Sequence, residues 1–571
     1  MAHPDPAVAT VLHDSELHAE SPSVWRHAAR VGAIFGVVAI YLAVIGLLVM
    51  LHGRFIIVDV LSLGQAALVA IALGAGIMGA PKRGNASTAT RLLTGTLAAA
   101  IAGAMLSALA VLMATVDLRW MFIALSPALQ KLLTFGLPIL PGIVILTLIA
   151  AVLGAIGVLL AGTPPLIRRA IIAGASAVVI AGVFQELIQI MLQATETIDK
   201  IRELFYNWDG LEWTGALAIF LIFAAISLLW AQLIPRVAPA IGQAAIRRRR
   251  AFGMLAMLVA LIIFPLLAGS YIGQVLMLVG LYILMGMGLN LEVGLAGLLD
   301  LGFVAFFAVG AYTTALLTAD NPHALAALSF WEAMPIAVML SIAVGVLFGL
   351  PVLGVRGDYL AVATMGLGEI VRVIVASDFA APLLGGAQGV LQIPRPSIAG
   401  HALADPVQLF YLTLTAAMIA AYIAWRLENS RLGRAWMALR DDEDVAQALG
   451  INLVRVKLLA YGLGAAFAGL SGSIFATMLG SVYPSSFQLV ISINVLALII
   501  VGGMGSLPGV IVGAAALIGL PELLREFGEY RYLMYGAALI IMMRIRPEGL
   551  WPSPTRRREL HSDDAIVEQS V

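Results

Sequence analysis

"AFGMLAMLVALIIFPLLAGSYIGQVLMLVGLYILMGMGLNL", residues 251–291, contains no charged side chain in 41 consecutive positions. A transmembrane helix needs roughly 20 apolar residues, and a strand of a membrane barrel needs roughly 10. This run is therefore long enough for two helical crossings. Residues 458–521 form a second charge-free run, of 64 positions, which is long enough for about three crossings. These two runs predict an all-α protein whose helices cross a membrane.

The composition of the whole chain extends this prediction to both sides of the quoted run. Of the 571 residues, 61% are hydrophobic and only 12% are charged, and the mean hydropathy is +1.00. We predict a polytopic transmembrane helical bundle of about sixteen spans, six before a basic linker and about ten after it. The predicted spans lie near residues 31–51, 57–80, 92–116, 138–162, 170–192, 213–234, 252–269, 272–291, 301–319, 334–355, 360–378, 406–425, 458–479, 487–504, 507–521 and 529–545.

The positions of lysine and arginine orient the predicted spans. With the N-terminus in the cytoplasm, 24 of the 33 basic residues lie on the cytoplasmic side, 8 lie on the opposite side, and Arg372 lies within a span. Because cytoplasmic loops collect Lys and Arg, we predict that the N- and C-termini are both cytoplasmic. The predicted segments are a polar tail at 1–30, an accessory block of about six spans at 31–235, a basic linker at 236–251, a main transmembrane domain at 252–552 and a cytoplasmic tail at 553–571.

The chain lacks the sequence patterns of several classes of enzyme and binding protein. Its four lysines lie outside any GxxxxGK[ST] phosphate-binding loop, and neither HExxH nor GxSxG occurs. The absence of cysteine excludes disulfides and thiolate metal sites. We therefore expect no catalytic residues, no metal, no cofactor bound by this chain and no nucleic-acid partner. The N-terminal residues do not resemble a cleavable signal peptide, so we expect the first span to act as the targeting signal.

Ionisable side chains near or inside the predicted spans are candidates for function, because a charge is costly in lipid. Glu369 and Arg372 are three residues apart and would share a helix face, where they either form a structural ion pair or belong to the permeation path or gate. Glu292 and Asp300 flank a glycine-rich turn predicted near the cytoplasmic surface. For these two acids we expect solvation, or capping of the following helix, and we keep Asp300 as a candidate for the pathway or gate.

The predicted cytoplasmic loop at 426–457 contains the most polar stretch of the core, "DDEDVAQALGINLV". Burying its four acids at mid-bilayer would cost on the order of 10 kcal/mol, so the loop must lie in water or against protein. We predict a short helix that Asp441 or Asp442 caps and that Gly450 ends in a left-handed conformation. Val445 and Leu449 give it a small apolar face, which fits either its own transmembrane domain or a groove on a partner.

The residues from Asp444 to Gly450, with glycine four positions after Ala446, resemble the EAA loop of ABC importer permeases, although Asp444 replaces the glutamate of the motif. Four longer stretches at 288–317, 357–375, 448–472 and 501–550 resemble one permease type in the right order. They begin "GLNLEVGLAGLLDLG", "GDYLAVATMGLGEIV", "ALGINLVRVKLLAYG" and "VGGMGSLPGVIVGAA". That type is the longer membrane subunit of high-affinity branched-chain amino-acid ABC importers. The resemblance covers residues 252–552, a little over half of the chain.

The resemblance implies a complex in the bacterial inner membrane that imports small amino acids. Its other members would be a second permease subunit, two ATPase subunits that use ATP and Mg, and an extracytoplasmic solute-binding protein. The loop helix would dock on an ATPase and couple ATP hydrolysis to alternating access. The residues it assigns to docking are Val445, Ala446, Leu449 and Gly450, with Asp442, Glu443 and Asp444 facing basic groups of the ATPase.

Two alternatives stay open at this stage. Permeases of urea and short-amide ABC importers are similar, so the substrate class is not fixed by the resemblance. An ion-coupled secondary transporter would use Glu369, Arg372 or Asp300 in a proton or sodium site, and it would transport without an ATPase. The acidic loop helix has no explanation in that second alternative.

Overall fold

The computed structural model describes residues 22–81, 87–192, 202, 205–207, 210–237, 243–355, 357–528, 530–546 and 548–552. The tail predicted at 553–571 and the first 21 residues of the tail predicted at 1–30 lie outside the described residues. The chain divides into two compact units, Met1–Gly253 and Met254–Val571. Each unit is described separately.

The first unit is a helical bundle with one small sheet. Strand Phe55–Ile57 pairs with Leu61–Ser62 in an antiparallel arrangement and with Gly210–Leu211 in a parallel one, which gives a sheet of four very short strands. The fourth strand is Tyr206–Asn207. The helices are Pro22–Val44, Leu47–His52, Leu63–Gly79, Thr88–Thr115, Pro127–Leu133, Ile139–Gly162, Pro165–Val183, Gln185–Leu192 and Trp213–Val237.

The predicted span at 57–80 starts later than expected. Its first residues belong to the strands, and the helix begins at Leu63. Ser62 fixes this start, because its hydroxyl accepts a hydrogen bond from Gln65 N while the Gln65 side chain accepts one from Ser62 N. This reciprocal arrangement is a capping box, which satisfies two backbone donors that a helix N-terminus leaves open.

The second unit contains the core of the predicted transmembrane domain. Its two strands, Ser397–Ile398 and His401–Ala402, form a hairpin. The boundary between the two units, after Gly253, falls within helix Gln243–Leu289. The helical segments that follow this helix are the π-helical turn Asn290–Leu295, Val304–Thr318, Phe330–Val352, Asp358–Ala376, Ala381–Leu384, Gly386–Gln388, Pro406–Glu428, Arg431–Asp441, Glu443–Ala448, Leu453–Leu479, Pro484–Phe487, Leu489–Gly502, Leu507–Ala514, Ala515–Gly519, Leu520–Leu523, Arg525–Phe527 and Tyr530–Ile545.

Length and composition make this a polytopic helical membrane protein. Within the described residues, 11 helices are long and apolar enough to cross a membrane, and three further apolar helices are shorter. The shorter ones are Leu63–Gly79, Val304–Thr318 and Leu507–Leu523. The figure of sixteen spans and the cytoplasmic position of the termini stay predictions.

Helix Leu453–Leu479 lies at the centre of the second unit because glycine and alanine let its neighbours approach. A methyl group added at Gly345 of helix Phe330–Val352 would lie 2.8 Å from Tyr461 O. One added at Gly472 would collide with the Phe307 carbonyl of helix Val304–Thr318. Small residues in these helices therefore serve close backbone packing, as their spacing predicts.

Two breaks shape the long helix Gln243–Leu289. Gly269 has a non-helical backbone (φ 84°, ψ 177°) and separates the spans predicted at 252–269 and 272–291. After Leu289 the helix widens into the π-helical turn Asn290–Leu295. The chain then turns at Gly297, which has a φ of 72°. The next helix starts at Val304. This second break brings Glu292 and Asp300 into the interior.

Candidate functional site

The loop helix, Glu443–Ala448, has the ends that the sequence predicts. Asp442 caps it, since one side-chain oxygen accepts hydrogen bonds from Asp444 N and Val445 N, each at 2.9 Å. At the other end Gly450 has a φ of 87°, and Gly450 N and Ile451 N donate to the carbonyls of Gln447 and Ala446. That pair of bonds is a Schellman motif, which closes the helix C-terminus.

The loop is anchored to the transmembrane domain by a helix that our sequence analysis did not identify. Trp436 of helix Arg431–Asp441 is fully buried, and its Nε1 donates to Val456 O at 2.9 Å. Arg440 Nη1 donates to Gly294 O, in the π-helical turn, also at 2.9 Å. The signal was available in the sequence, because Leu432, Trp436 and Leu439 recur at helical spacing in an otherwise polar stretch.

The loop helix turns one face inwards and one outwards. Val445 and Leu449 are 54% and 75% exposed. Ala446, assigned with them to the docking surface, is only 1% exposed and faces its own chain. The predicted docking residues on the outward surface are therefore Val445, Leu449 and the exposed Asp442, Asp444 and Gly450.

Glu443 is also engaged within the chain. Its Oε1 lies 2.6 Å from Nζ of Lys457, a buried side chain in the first turn of helix Leu453–Leu479. Lys457 Nζ donates in addition to Leu353 O, at the end of helix Phe330–Val352. The ion pair and the bond to Leu353 O link the loop helix to helices Leu453–Leu479 and Phe330–Val352. Glu443, which the sequence analysis assigned to docking, therefore lies on the inner face of the loop.

Glu369 and Arg372 form the ion pair that their spacing predicts. Arg372 Nε donates to both oxygens of Glu369, at 2.9 and 3.0 Å. The pair lies on the outer face of helix Asp358–Ala376, where Val362, Ile370 and Val373 are also exposed.

The expectation that Glu292 and Asp300 are solvated is wrong. Their exposed fractions are 0% and 1%, because the break after Leu289 folds both side chains against helix Leu453–Leu479 and its neighbours. Asp300 Oδ1 accepts a hydrogen bond from Gly302 N at 2.7 Å, just before helix Val304–Thr318 begins. Glu292 lies within the π-helical turn, a type of helix irregularity that is frequent at functional sites.

A cavity of about 730 Å³ opens between helices Phe330–Val352 and Pro406–Glu428. Its wall is almost entirely apolar, so it suits an aliphatic group and offers little to orient a polar one. The residues that line it are Trp331, Met334, Pro335, Val338, Met339, Ile398, Leu403, Gln408, Tyr411, Leu412, Thr415, Ala416, Ile419 and Leu470. In the part of the chain that the structure describes, no cluster of His, Asp and Glu has metal-binding geometry.

Comparison with known proteins gives a consistent result. The family model described as "Branched-chain amino acid transport system / permease component" matches residues 271–543. The chain is 35% identical over 437 residues to the "High-affinity branched-chain amino acid transport system permease protein LivM" of Salmonella typhimurium and to that of Escherichia coli K12. Each match covers 71% of this chain and all of the relative. No solved structure matches the chain.

A more distant relative is the permease protein LivH of Escherichia coli K12, which is 25% identical over 288 residues. That match covers 48% of this chain and 92% of the relative. The LivM matches also cover more of the chain than the resemblance at 252–552 did. The second unit is little more than half of the chain, so a match over 71% extends into the first unit.

Proposed function

Because this chain belongs to the family of branched-chain amino acid transport permeases, we propose that it is a membrane subunit of an ATP-driven importer of branched-chain amino acids. The observation that carries the proposal is the 35% identity to LivM over the full length of that relative. The exposed Val445 and Leu449 on a closed cytoplasmic helix give the chain a surface for an ATPase.

The complex that we propose contains four further proteins and lies in a membrane. A second permease subunit completes the membrane path, and two ATPase subunits bind ATP and Mg. An extracytoplasmic solute-binding protein delivers the amino acid, and the bacterial inner membrane surrounds the assembly. In this arrangement the chain has about sixteen spans with both termini in the cytoplasm, and it binds no nucleotide itself. The first unit acts as an accessory block that supports assembly.

The inner face of the loop supplies the mechanical link. Movement of a docked ATPase would pull the loop helix, which the Glu443–Lys457 pair joins to helices Leu453–Leu479 and Phe330–Val352. The same movement would reach the π-helical turn through the bond from Arg440 to Gly294 O. These contacts connect the cytoplasmic loop with the centre of the second unit. A rigid displacement of the loop would therefore move the helices that must separate when access changes from one side of the membrane to the other.

The outer face of helix Asp358–Ala376 is the surface that we assign to the second permease subunit. The Glu369–Arg372 pair lies there beside exposed aliphatic side chains, within a candidate membrane span. Charged groups in membrane helices almost always face protein or a water-filled cavity, since lipid cannot solvate them. A helix of the second permease subunit with polar groups opposite the pair would remove the free-energy cost of exposing these charges to lipid. It would also place the pair beside the transport path between the two permeases.

Docking is tested by co-purification of the intact chain with the ATPase subunits encoded beside it. Leu449→Arg should reduce recovery of the ATPase at least tenfold, since about 1.4 kcal/mol of lost docking energy suffices for that factor. Gly450→Asp should act in the same direction by straining the left-handed C-terminus. The matched control is Leu325→Arg, which makes the same change at an exposed position outside the loop.

Each result separates the candidates. Undiminished binding by both loop variants would move the docking surface elsewhere on the chain. Absence of binding by the wild type, together with transport by the purified chain under an ion gradient, would establish an ion-coupled secondary transporter instead. Uptake of urea or short amides, and not of branched-chain amino acids, by the assembled complex would change the substrate class alone.

A further inference from the structure

Three polar side chains from separate segments meet in the interior of the second unit. Glu292 comes from the π-helical turn, Asp300 from the connection that follows it, and Tyr461 from helix Leu453–Leu479. Their exposed fractions are 0%, 1% and 2%. We refer to these three residues as the acid cluster. Neither the proposed docking surface nor the proposed interface with a second permease uses it.

Most oxygen atoms of the acid cluster lack a hydrogen-bond donor. Among the described residues, both oxygens of Glu292, Oδ2 of Asp300 and the hydroxyl of Tyr461 have no hydrogen-bond partner. Asp300 Oδ1 accepts from Gly302 N, and the Thr364 side chain is a further hydrogen-bonding neighbour of the Asp300 carboxyl group. A buried carboxylate without donors is strongly unfavourable, because it loses water and gains nothing in exchange. The arrangement as two bare carboxylates is therefore incomplete.

The geometry of the cluster shows what would complete it. Glu292 and Asp300 are side-chain hydrogen-bonding neighbours, so a single proton can lie between their carboxyl groups. The buried Tyr461 hydroxyl lies near both acids and donates to neither in this structure. One proton between two carboxyl groups forms a charge-assisted hydrogen bond and removes one of the two negative charges.

The basic side chains on the surrounding elements have other partners. Arg440, from helix Arg431–Asp441, donates to Gly294 O and lies 3.9 Å from Asp441. Lys457, one turn before Tyr461, pairs with Glu443. On helix Asp358–Ala376, Thr364 faces the connection, and its hydroxyl accepts from Leu301 N, while the Glu369–Arg372 pair faces outwards.

Packing leaves little room for a larger cation. The Glu292 carboxyl group lies directly against Gly464, where even a methyl group would overlap Oε1. A bound metal ion needs several oxygen ligands arranged around a space of its own, with metal–oxygen distances of about 2.0 to 2.6 Å. A proton needs no such space. The packing therefore favours a proton over a sodium ion.

We propose that Glu292 and Asp300 bind a single proton in this conformation, and that the proton is released when the surrounding helices separate. The proton comes from water and returns to water, so no other reactant is needed. Loss of the proton places two negative charges side by side and disfavours this closed packing. The inference goes beyond the proposed function and needs that function only for the transport measurement described below.

The first test is infrared difference spectroscopy of the full chain in lipid nanodiscs. Subtracting the spectrum of Glu292→Gln from that of the wild type should leave the C=O stretch of a protonated carboxylic acid. Subtracting the spectrum of Asp300→Asn should leave the same band. Either variant alone removes the band, because the two residues share one proton. The matched control is Glu332→Gln, at an exposed glutamate that accepts from Ser329 N at 2.9 Å, which should leave the band in place.

The second test is the pH profile of substrate-stimulated ATP hydrolysis by the assembled complex. In the wild type the rate should fall about tenfold per pH unit above the midpoint, as the proton is lost. Glu292→Gln, which imitates the protonated acid, should lose this pH dependence. If one variant does not fold, the other gives both readouts.

Three results would overturn the proposal. The first is a wild-type spectrum without the shared band, and the second is a pH profile that Glu292→Gln leaves unchanged. The third is a rate that depends on sodium at constant pH, which would make the ligand a metal ion. The infrared result does not depend on what the chain transports. Its failure is therefore distinguishable from failure of the proposed function, which the co-purification experiment measures.

Discussion

Two pairs of ionisable side chains in the second unit differ in both charge and environment. Glu369 and Arg372 carry opposite charges, lie on an outer helix face and bond to each other. Glu292 and Asp300 carry like charges, lie in the interior and leave most of their oxygens without donors. The first pair is complete within one helix. The second needs something that the protein atoms do not supply.

The comparison shows which pairs of ionisable side chains need a functional explanation. An opposite pair three residues apart neutralises itself wherever the helix is placed, so its presence says little about function. Two acids from different segments can be brought together only by tertiary structure, and their repulsion opposes that structure. The stability of the fold therefore does not account for such a pair.

A third pair combines opposite charge with burial and gives the largest expected effect. Lys457→Met would leave Glu443 beside a desolvated site without its ammonium partner. We expect the free energy of unfolding in mixed micelles to fall by about 3 kcal/mol. The double variant Lys457→Met/Glu443→Leu should recover most of the loss, because neither charge remains. A single variant as stable as the wild type would show that burial adds nothing to this pair.

A smaller effect is expected from the packing around the like-charged pair. Gly464→Ala places a methyl group on the Glu292 carboxyl and should lower the free energy of unfolding by about 2 kcal/mol. The matched control is Gly462→Ala in the same helix, where the nearest atom to the added methyl is 3.3 Å away, on the Val346 side chain. Equal stability of the two variants would contradict the tight packing on which the choice of a proton rests.

The smallest effect is expected for the exposed pair. Glu369→Gln should change the stability of the isolated chain least, because exposed ion pairs contribute little to it. The recovery of the second permease subunit with this variant should decrease by a larger factor than the stability changes. The reason is that Arg372 would enter the interface between the two permeases without a counter-charge. The exchange variant Glu369→Arg/Arg372→Glu keeps the pair and serves as control. Unchanged recovery of the second permease would remove this face from the interface.

Local chemistry could be predicted from the sequence where neighbours along the chain decide it. Asp442 and Gly450 determine the ends of the loop helix through bonds to residues two to five positions away. The Glu369–Arg372 pair depends only on helical spacing. The helical membrane architecture follows from long apolar runs, in which every backbone group must find a partner inside its own segment.

The acid cluster could not be predicted in the same way. Its burial depends on a π-helical turn and on glycine contacts with a helix more than 150 positions away in sequence. Solvation was the natural expectation for acids beside a glycine-rich turn. Trp436 is an intermediate case, because its helical spacing with Leu439 was visible but the surface that buries it was not. The short strands of the first unit carry too few residues to leave a recognisable alternation.

The caps at both ends of the loop helix affect the free energy that the proposed docking of an ATPase would require. A six-residue helix would be unfolded in isolation, since helix nucleation costs more than so few bonds return. Here Asp442, Gly450 and the Trp436 anchor hold it formed before any ATPase arrives. The conformational entropy of ordering the loop is therefore lost during folding and not at each docking event. A partner that meets a preorganised surface can engage and release it repeatedly with little free energy spent on reordering.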